Sequence, residues 1–217
     1  MLLLGLDTAT PAVTAAIADA TRADDPVLAE SSVIDARGHG ELLAPAIARV
    51  LIEAGIDRHD LGAVAVGVGP GPFTGLRVGL VTARVLGAVL DIPVLGVCTL
   101  DALSLAAGLD GHHVVATDAR RREIYAATYE GRRRTGGPCV GPATRFATDA
   151  AAVGPGALLH PEAFPAAQGP EHLGAGAVCR WVIADLPTLP PSPLYLRRPD
   201  AAVPGVRKPA LRPAAGQ

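Results

Sequence analysis

Apolar positions begin at once. Residues 2–6, LLLGL, form a continuous apolar run that stops at Asp7. A run this short, bounded by turn residues, predicts a buried strand. TAT and Pro11 supply a turn, AVTAAIAD reads as the returning strand, and PVLAESSVID as the third strand of a meander. Gly38, His39 and Gly40 interrupt the pattern. A period of 3.6 then takes over and predicts a helix over 41–54, stopped by Gly55. LGAVAVGVG predicts a further strand, followed by the loop GPGPFTG and a long helix ending near Leu90. IPVLGVC reads as a short strand and TLDALSLAAG as a short helix, with Thr99 or Asp101 as its cap.

The plan then starts again. HVVATDARRREIYAATYEG repeats the order apolar strand, Asp, turn, returning strand, with Asp118 in the place of Asp7. Such an echo predicts an α/β protein of two lobes built on one plan, the alternative being two unrelated hairpins. The expected division is an N-terminal lobe over 1–99, a smaller C-terminal lobe over 100–200 and a disordered tail over 201–217. Beyond Arg132 the chain turns rich in Gly, Pro and Ala. There VGPGALLHPEAFPAA predicts one strand and a turn, and GAGAVCRWVIADL a helix.

The two long helices carry the strongest pattern. In the second, Gly75, Gly79, Ala83 and Gly87 recur every four residues and form a ridge nearly free of side chains. Another helix backbone can approach such a ridge closely. Leu76, Val78, Leu80, Val81, Val85, Leu86 and Val89 occupy its other sides, so the helix is expected to be covered on more than one side. The first helix offers Leu43, Ile47, Val50 and Ala54, widened by Leu42, Ala46 and Leu51. The expected partner interface is therefore Leu42, Leu43, Ala46, Ile47 and Val50 with Gly75, Leu76, Gly79, Leu80, Ala83 and Gly87; the alternative is that contacts within the chain cover both helices. Gly79→Leu is expected to hold the helices apart and break docking.

Composition narrows the function. A net charge of −2 over 217 residues excludes a strongly basic nucleic-acid binder. Three cysteines without CxxC spacing fit reduced buried thiols rather than a disulfide framework or zinc site. No basic segment precedes the N-terminal apolar run, so no secretory signal is expected. Arg77 and Arg84 interrupt residues 73–90, and a central Arg costs about 3 kcal/mol on insertion. The expectation is a soluble cytoplasmic protein with no membrane association.

The Gly-Pro loop does not match a phosphate cradle. It lacks the Lys of a P-loop, Thr74 stands where a dinucleotide fingerprint needs its last glycine, and Pro70 and Pro72 remove two amide donors. A tight turn setting the helix against the sheet is expected instead. His112 and His113 are adjacent, point to opposite faces of a strand and cannot share a metal; they are expected to start a strand at the surface. His39 has no matching nucleophile. No catalytic residue, metal or cofactor is expected.

The segments LGLDTATPAVTAAI, HGELLAPAI, AVGVGPGPFTGLRVGL, IPVLGVCTLDAL, VVATDARRREIYAATY and PLYLRRPDA together resemble the TsaB family. These are the non-catalytic partner subunits in bacterial synthesis of threonylcarbamoyladenosine on tRNA. The resemblance implies a two-lobed actin/hexokinase-like ATPase fold with a reduced second lobe. It implies docking, through the two long helices, to a catalytic TsaD-like subunit, with a TsaE-like ATPase joining them and homodimers forming when the chain is alone. The catalytic paralogue carries an HxxxH metal pair where this chain has Thr99 and Leu103. Asp7, Thr8, Thr10 and Asp118 match a nucleotide site of this fold and are expected to be vestigial; for Asp7 and Asp118 a turn-forming carboxylate serves equally. Arg120, Arg121 and Arg122 and Arg132, Arg133 and Arg134 reach tRNA only through the complex on this reading. The competing reading is an independent ATP-dependent phosphotransferase or carbamoyltransferase, with Asp7 and Asp118 flanking metal and phosphates.

Overall fold

A computed structural model describes residues 1–22, 24–35 and 38–197, and the expectation of a disordered tail lies outside them. The chain opens with the predicted meander. β1 (Leu2–Asp7), β2 (Ala12–Asp19) and β3 (Val27–Ile34) pair antiparallel. Crossover helices α1 (His39–Ala54) and α2 (Phe73–Leu90) lead to β4 (Leu61–Gly67) and β5 (Val94–Val97), which run parallel to β1, giving the order β3-β2-β1-β4-β5. The near-continuous apolar runs of β1, β2 and β4 are buried on both faces, so helices must cover both.

Alternation decides which helix takes which face. Leu4 and Leu6 of β1 meet Leu43, Val50, Leu76 and Leu80 of α1 and α2. The opposite face carries Leu3 and meets Cys179 of α5 (Ala175–Ile183). Gly5 makes that approach possible, because a Cβ there would lie 2.6 Å from the Ala175 carbonyl oxygen and from Cys179 Sγ. α5 therefore belongs to the packing of the first sheet, although its place in the sequence assigned it to the C-terminal lobe. The segment after it stays there: Leu189 pairs with Gly96 and the Leu194 amide donates to the Val68 carbonyl. A single cut at residue 99 does not describe the packing.

α3 (Thr99–Ala107) leads into the second sheet, formed by β6 (His112–Asp118), β7 (Glu123–Glu130), β8 (Arg133–Pro142), β9 (Ala151–Val153) and β10 (Ala167–Gln168). Its order is β10-β9-β6-β7-β8, the plan of the first sheet repeated with shorter parallel strands. A one-turn helix, α4 (Pro155–Leu158), follows β9. Leu100 and Leu103 of α3 and Val178 and Trp181 of α5 form one core with Ala65 of the first sheet and Val115 and Tyr129 of the second. β8 is a strand where the Arg- and Gly-rich sequence predicts none. It lies at a sheet edge, where register shifts accommodate Gly136, Gly137 and Pro138. His113 is wholly buried rather than at the surface, stacked 5.4 Å from Tyr129, with Nδ1 donating to the Gly111 carbonyl and Ser104 Oγ 2.8 Å from Nε2. Burial pushes the Cys98 thiol up to about 11 and that of Cys179 to about 12, while Cys139 is only half-buried.

α2 is long and apolar enough to span a membrane, yet it serves as the covering helix of the first sheet. Its glycine ridge turns inward. A Cβ on Gly75 would lie 2.7 Å from the Thr8 carbonyl oxygen, one on Gly79 2.5 Å from Thr8 Oγ1, and Gly87 lies against Val94 and Ile92. The groove expected to receive a partner is filled by the chain itself. Gly79→Ala is therefore expected to lose at least about 2 kcal/mol of stability, because overpacking and disruption of the buried Thr8 hydrogen bonds outweigh the helix-propensity gain of about 1 kcal/mol. Urea unfolding measures this, and a variant as stable as the parent would contradict the packing described. Gly79→Leu should fail at folding rather than at docking.

Candidate functional site

The turn after β1 lies beneath the N-terminal turns of α1 and α2. Asp7 is 1% exposed. Its Oδ1 accepts from the Ala9 amide at 2.9 Å and its Oδ2 from Thr99 Oγ1 at 2.8 Å. Gly67 on the neighbouring strand leaves room for it, since a Cβ there would overlap Oδ2. Burial raises the Asp7 carboxyl to about 6, against the opposing pull of these two donors and of the nearby His39. Thr99 also accepts from the Gly69 amide at 3.2 Å, so one buried hydroxyl joins the β1 turn, the Gly-Pro loop and the start of α3.

The remaining predicted residues lie above Asp7. Thr8 Oγ1 donates to the Gly75 carbonyl at 2.7 Å and accepts from the Gly79 amide at 2.9 Å, which fastens the turn to α2. Thr10 Oγ1 accepts from the Ala12 amide, and the Thr10 carbonyl accepts from His39 Nε2 at 2.9 Å. Across the cleft, Asp118 at the end of β6 accepts from the Arg120 amide at 2.7 Å and faces the Arg120 guanidinium at 3.6 Å. Thr8, Thr10 and Asp118 line one cavity of about 280 Å³. Both oxygens of Asp7 are engaged by the chain's own donors beneath it. Thr99 is part of that network and Leu103 is core, so both positions aligned with the HxxxH pair hold structural side chains. Among the described residues no cluster of three His, Cys, Asp or Glu is placed to hold a metal.

The motif PLYLRRPDA proves structural as far as it is described. Tyr195 stacks on Phe73 with ring centres 4.5 Å apart, and Arg77 lies 3.8 Å over the Phe73 ring while its Nε donates to the Tyr195 hydroxyl. Arg197 donates to the Ala119 carbonyl and pairs with Glu123. The segment thereby straps the start of α2 to the β6–β7 turn. Arg120, Arg121 and Arg122 in that turn all have left-handed φ, of 62°, 57° and 62°. Sequence reasoning singled out the motif without finding this role.

Most of the predicted interface is not available to a partner. Leu43, Ala46, Val50, Gly75, Leu76, Gly79, Leu80, Ala83 and Gly87 are buried in the chain's own core, and Leu42 and Ile47 are half-buried against it. The open surface is the opposite side of α2, where Val81, Val85 and Val89 are 59%, 55% and 75% exposed, with Ile52 of α1 at 80%.

The family profile described as TsaD, tRNA N6-adenosine threonylcarbamoyltransferase, matches residues 31–163. An uncharacterized protein of Mycobacterium tuberculosis is 46% identical over 201 residues, covering 92% of this chain and 93% of that one. The tRNA threonylcarbamoyladenosine biosynthesis protein TsaB of Escherichia coli is 33% identical over 133 residues, covering 60% of this chain and 55% of that one. The solved structure of YeaZ from Pseudomonas aeruginosa superposes with a TM-score of 0.75 at 28% identity, covering 90% of this chain and 99% of that one. The chain belongs to the TsaB family. Its α/β fold, with two sheets of matching strand order, is that of the YeaZ structure.

For this TsaB-family chain the buried acid has a measurable signature. The folded carboxyl of Asp7 titrates near 6 against 3.8 unfolded, so between those values the folded state holds the extra proton and stability falls as pH rises. Above about 6 the loss is complete. Urea unfolding from pH 4 to pH 7 should show the parent losing up to about 3 kcal/mol relative to Asp7→Asn, which lacks this titration. Parallel pH profiles would place the carboxyl in solvent.

Proposed function

We propose that this chain is a non-catalytic scaffold subunit in tRNA threonylcarbamoyladenosine biosynthesis. In this reading it docks and activates a TsaD-like catalytic subunit for threonylcarbamoyl transfer to the tRNA adenosine beside the anticodon. The observation that carries the reading is the row Val81, Val85 and Val89 on the open side of α2. An apolar stripe spaced by four residues suits packing against a partner helix. Family membership supplies the process, and the TsaD description of the matching profile supplies the kind of partner.

The same stripe serves a second copy of the chain when no partner is present, and a TsaE-like ATPase joins the cytoplasmic assembly. tRNA is reached only through the complex, in keeping with the net charge of −2. An independent ATP-dependent transferase would need Asp7 free for metal or phosphate, whereas both of its oxygens accept hydrogen bonds from the chain.

Val85→Asp places a charge on the stripe without entering the core. It should weaken co-purification with the TsaD-like subunit by about tenfold or more and leave the unfolding midpoint unchanged. Retention at parental stoichiometry would remove α2 from the interface.

A further inference from the structure

The only charged residues on α2 are Arg77 and Arg84, and both are basic. Both are exposed and stand seven residues apart, about two turns, so they share one flank of the row Val81, Val85 and Val89. Arg77 is anchored, since it lies over the Phe73 ring and its Nε donates to the Tyr195 hydroxyl. Among the described residues no carboxylate pairs with either guanidinium. α1 is arranged differently: its Arg49 is met by Glu53 of the same helix at 2.7 Å.

An apolar row with charges along its flank is the layout by which paired helices choose partners. The row supplies the attraction, and the flanking charges decide which helix lies against it. A second copy of α2 has no carboxylate to offer. Laid antiparallel and centred on Val85, it brings Arg84 close to its own copy, and like charges meet. Laid parallel, it turns the uncharged flank of Thr82 and Leu86 toward Arg84. Of the two carboxylates on α1, Glu53 is held by Arg49, which leaves Glu41 in the first turn. We propose that this face selects a helix of a different protein, one that brings carboxylates against Arg77 and Arg84, and that Arg84 disfavours a second copy of this chain. The inference rests on the docking role of α2 proposed above and adds the partner's chemistry to it. Self-pairing is then the weaker of the two associations, and Arg84 is the residue that sets the difference.

Arg84→Ala separates selection from adhesion, because it removes the charge and leaves the valine row and the core intact. By calorimetry against the TsaD-like subunit of the same organism, it should weaken the complex about fivefold. By sedimentation of the full chain alone, it should tighten self-association about threefold. Damage to the helix would lower both, so the opposite signs report the charge. Raising NaCl from about 0.05 to about 0.5 M should weaken the parent complex more than the Arg84→Ala complex, because salt screens only a charge that is present. A change of the same sign in both assays, or no change in either one, would overturn the proposal. Val85→Asp keeps the two readings apart. If it leaves the complex intact, the docking face itself is wrong. If it breaks the complex while Arg84→Ala leaves affinity and salt dependence unchanged, the docking face stands and the acidic partner helix does not.

Discussion

The fold depends on how closely α2 can approach the turn that follows β1. Thr8 reaches from that turn to a carbonyl and an amide of the helix at 2.7 and 2.9 Å, and only a face without side chains permits it. Gly75 and Gly79 supply that face. The contact sets the height of α2 over the sheet, and with it the depth of Leu76, Leu80 and Ala83 in the core. A protein with 3% aromatic residues cannot rely on a few large side chains to hold its layers. It gains contact by close approach instead, as Gly5 does for α5 on the other face of the sheet.

This constraint also fixes what the surface presents. In a helix, residues four apart share a face, so turning the ridge at positions 75, 79, 83 and 87 inward leaves 81, 85 and 89 outside. Those three are valines. Close packing inside and an apolar stripe outside are two consequences of one rotation of α2 about its axis.

The sequence carried the strands, the two long helices, the repeat and the family, because each rests on periodicity or on contiguous motifs. It did not reveal which side of α2 faces in. A small-residue ridge reports that some backbone comes close, and the same pattern serves a neighbouring chain or the chain's own turn. The valines at 81, 85 and 89 were visible as apolar positions, but apolarity alone does not distinguish core from interface. β8 escaped notice because an edge strand tolerates Gly and Pro that a central strand would reject. The buried Ser104–His113 pair was hidden because a His at a strand start reads as polar until its partners are known. The return of α5 to the first sheet is a long-range contact with no local signature.

Asp7 shows how this cleft holds a buried acid with the chain's own donors. An ionised carboxylate at 1% exposure is unfavourable unless donors surround it. Here Ala9 and Thr99 provide them, and burial still holds the carboxyl near 6. The donor from Thr99 comes from the position that the resemblance aligns with a metal-binding histidine. A hydroxyl there makes the first residue of α3 a fastener between Asp7, at the end of β1, and Gly69, in the loop that follows the adjacent parallel strand β4. The hydroxyl at position 99 and the sequestration of the acid are thus parts of one arrangement. A histidine at position 99 would remove Asp7's side-chain donor and leave a larger ring to be housed at a fully buried site, so the Thr99 hydroxyl is what lets the carboxylate stay beneath the turn.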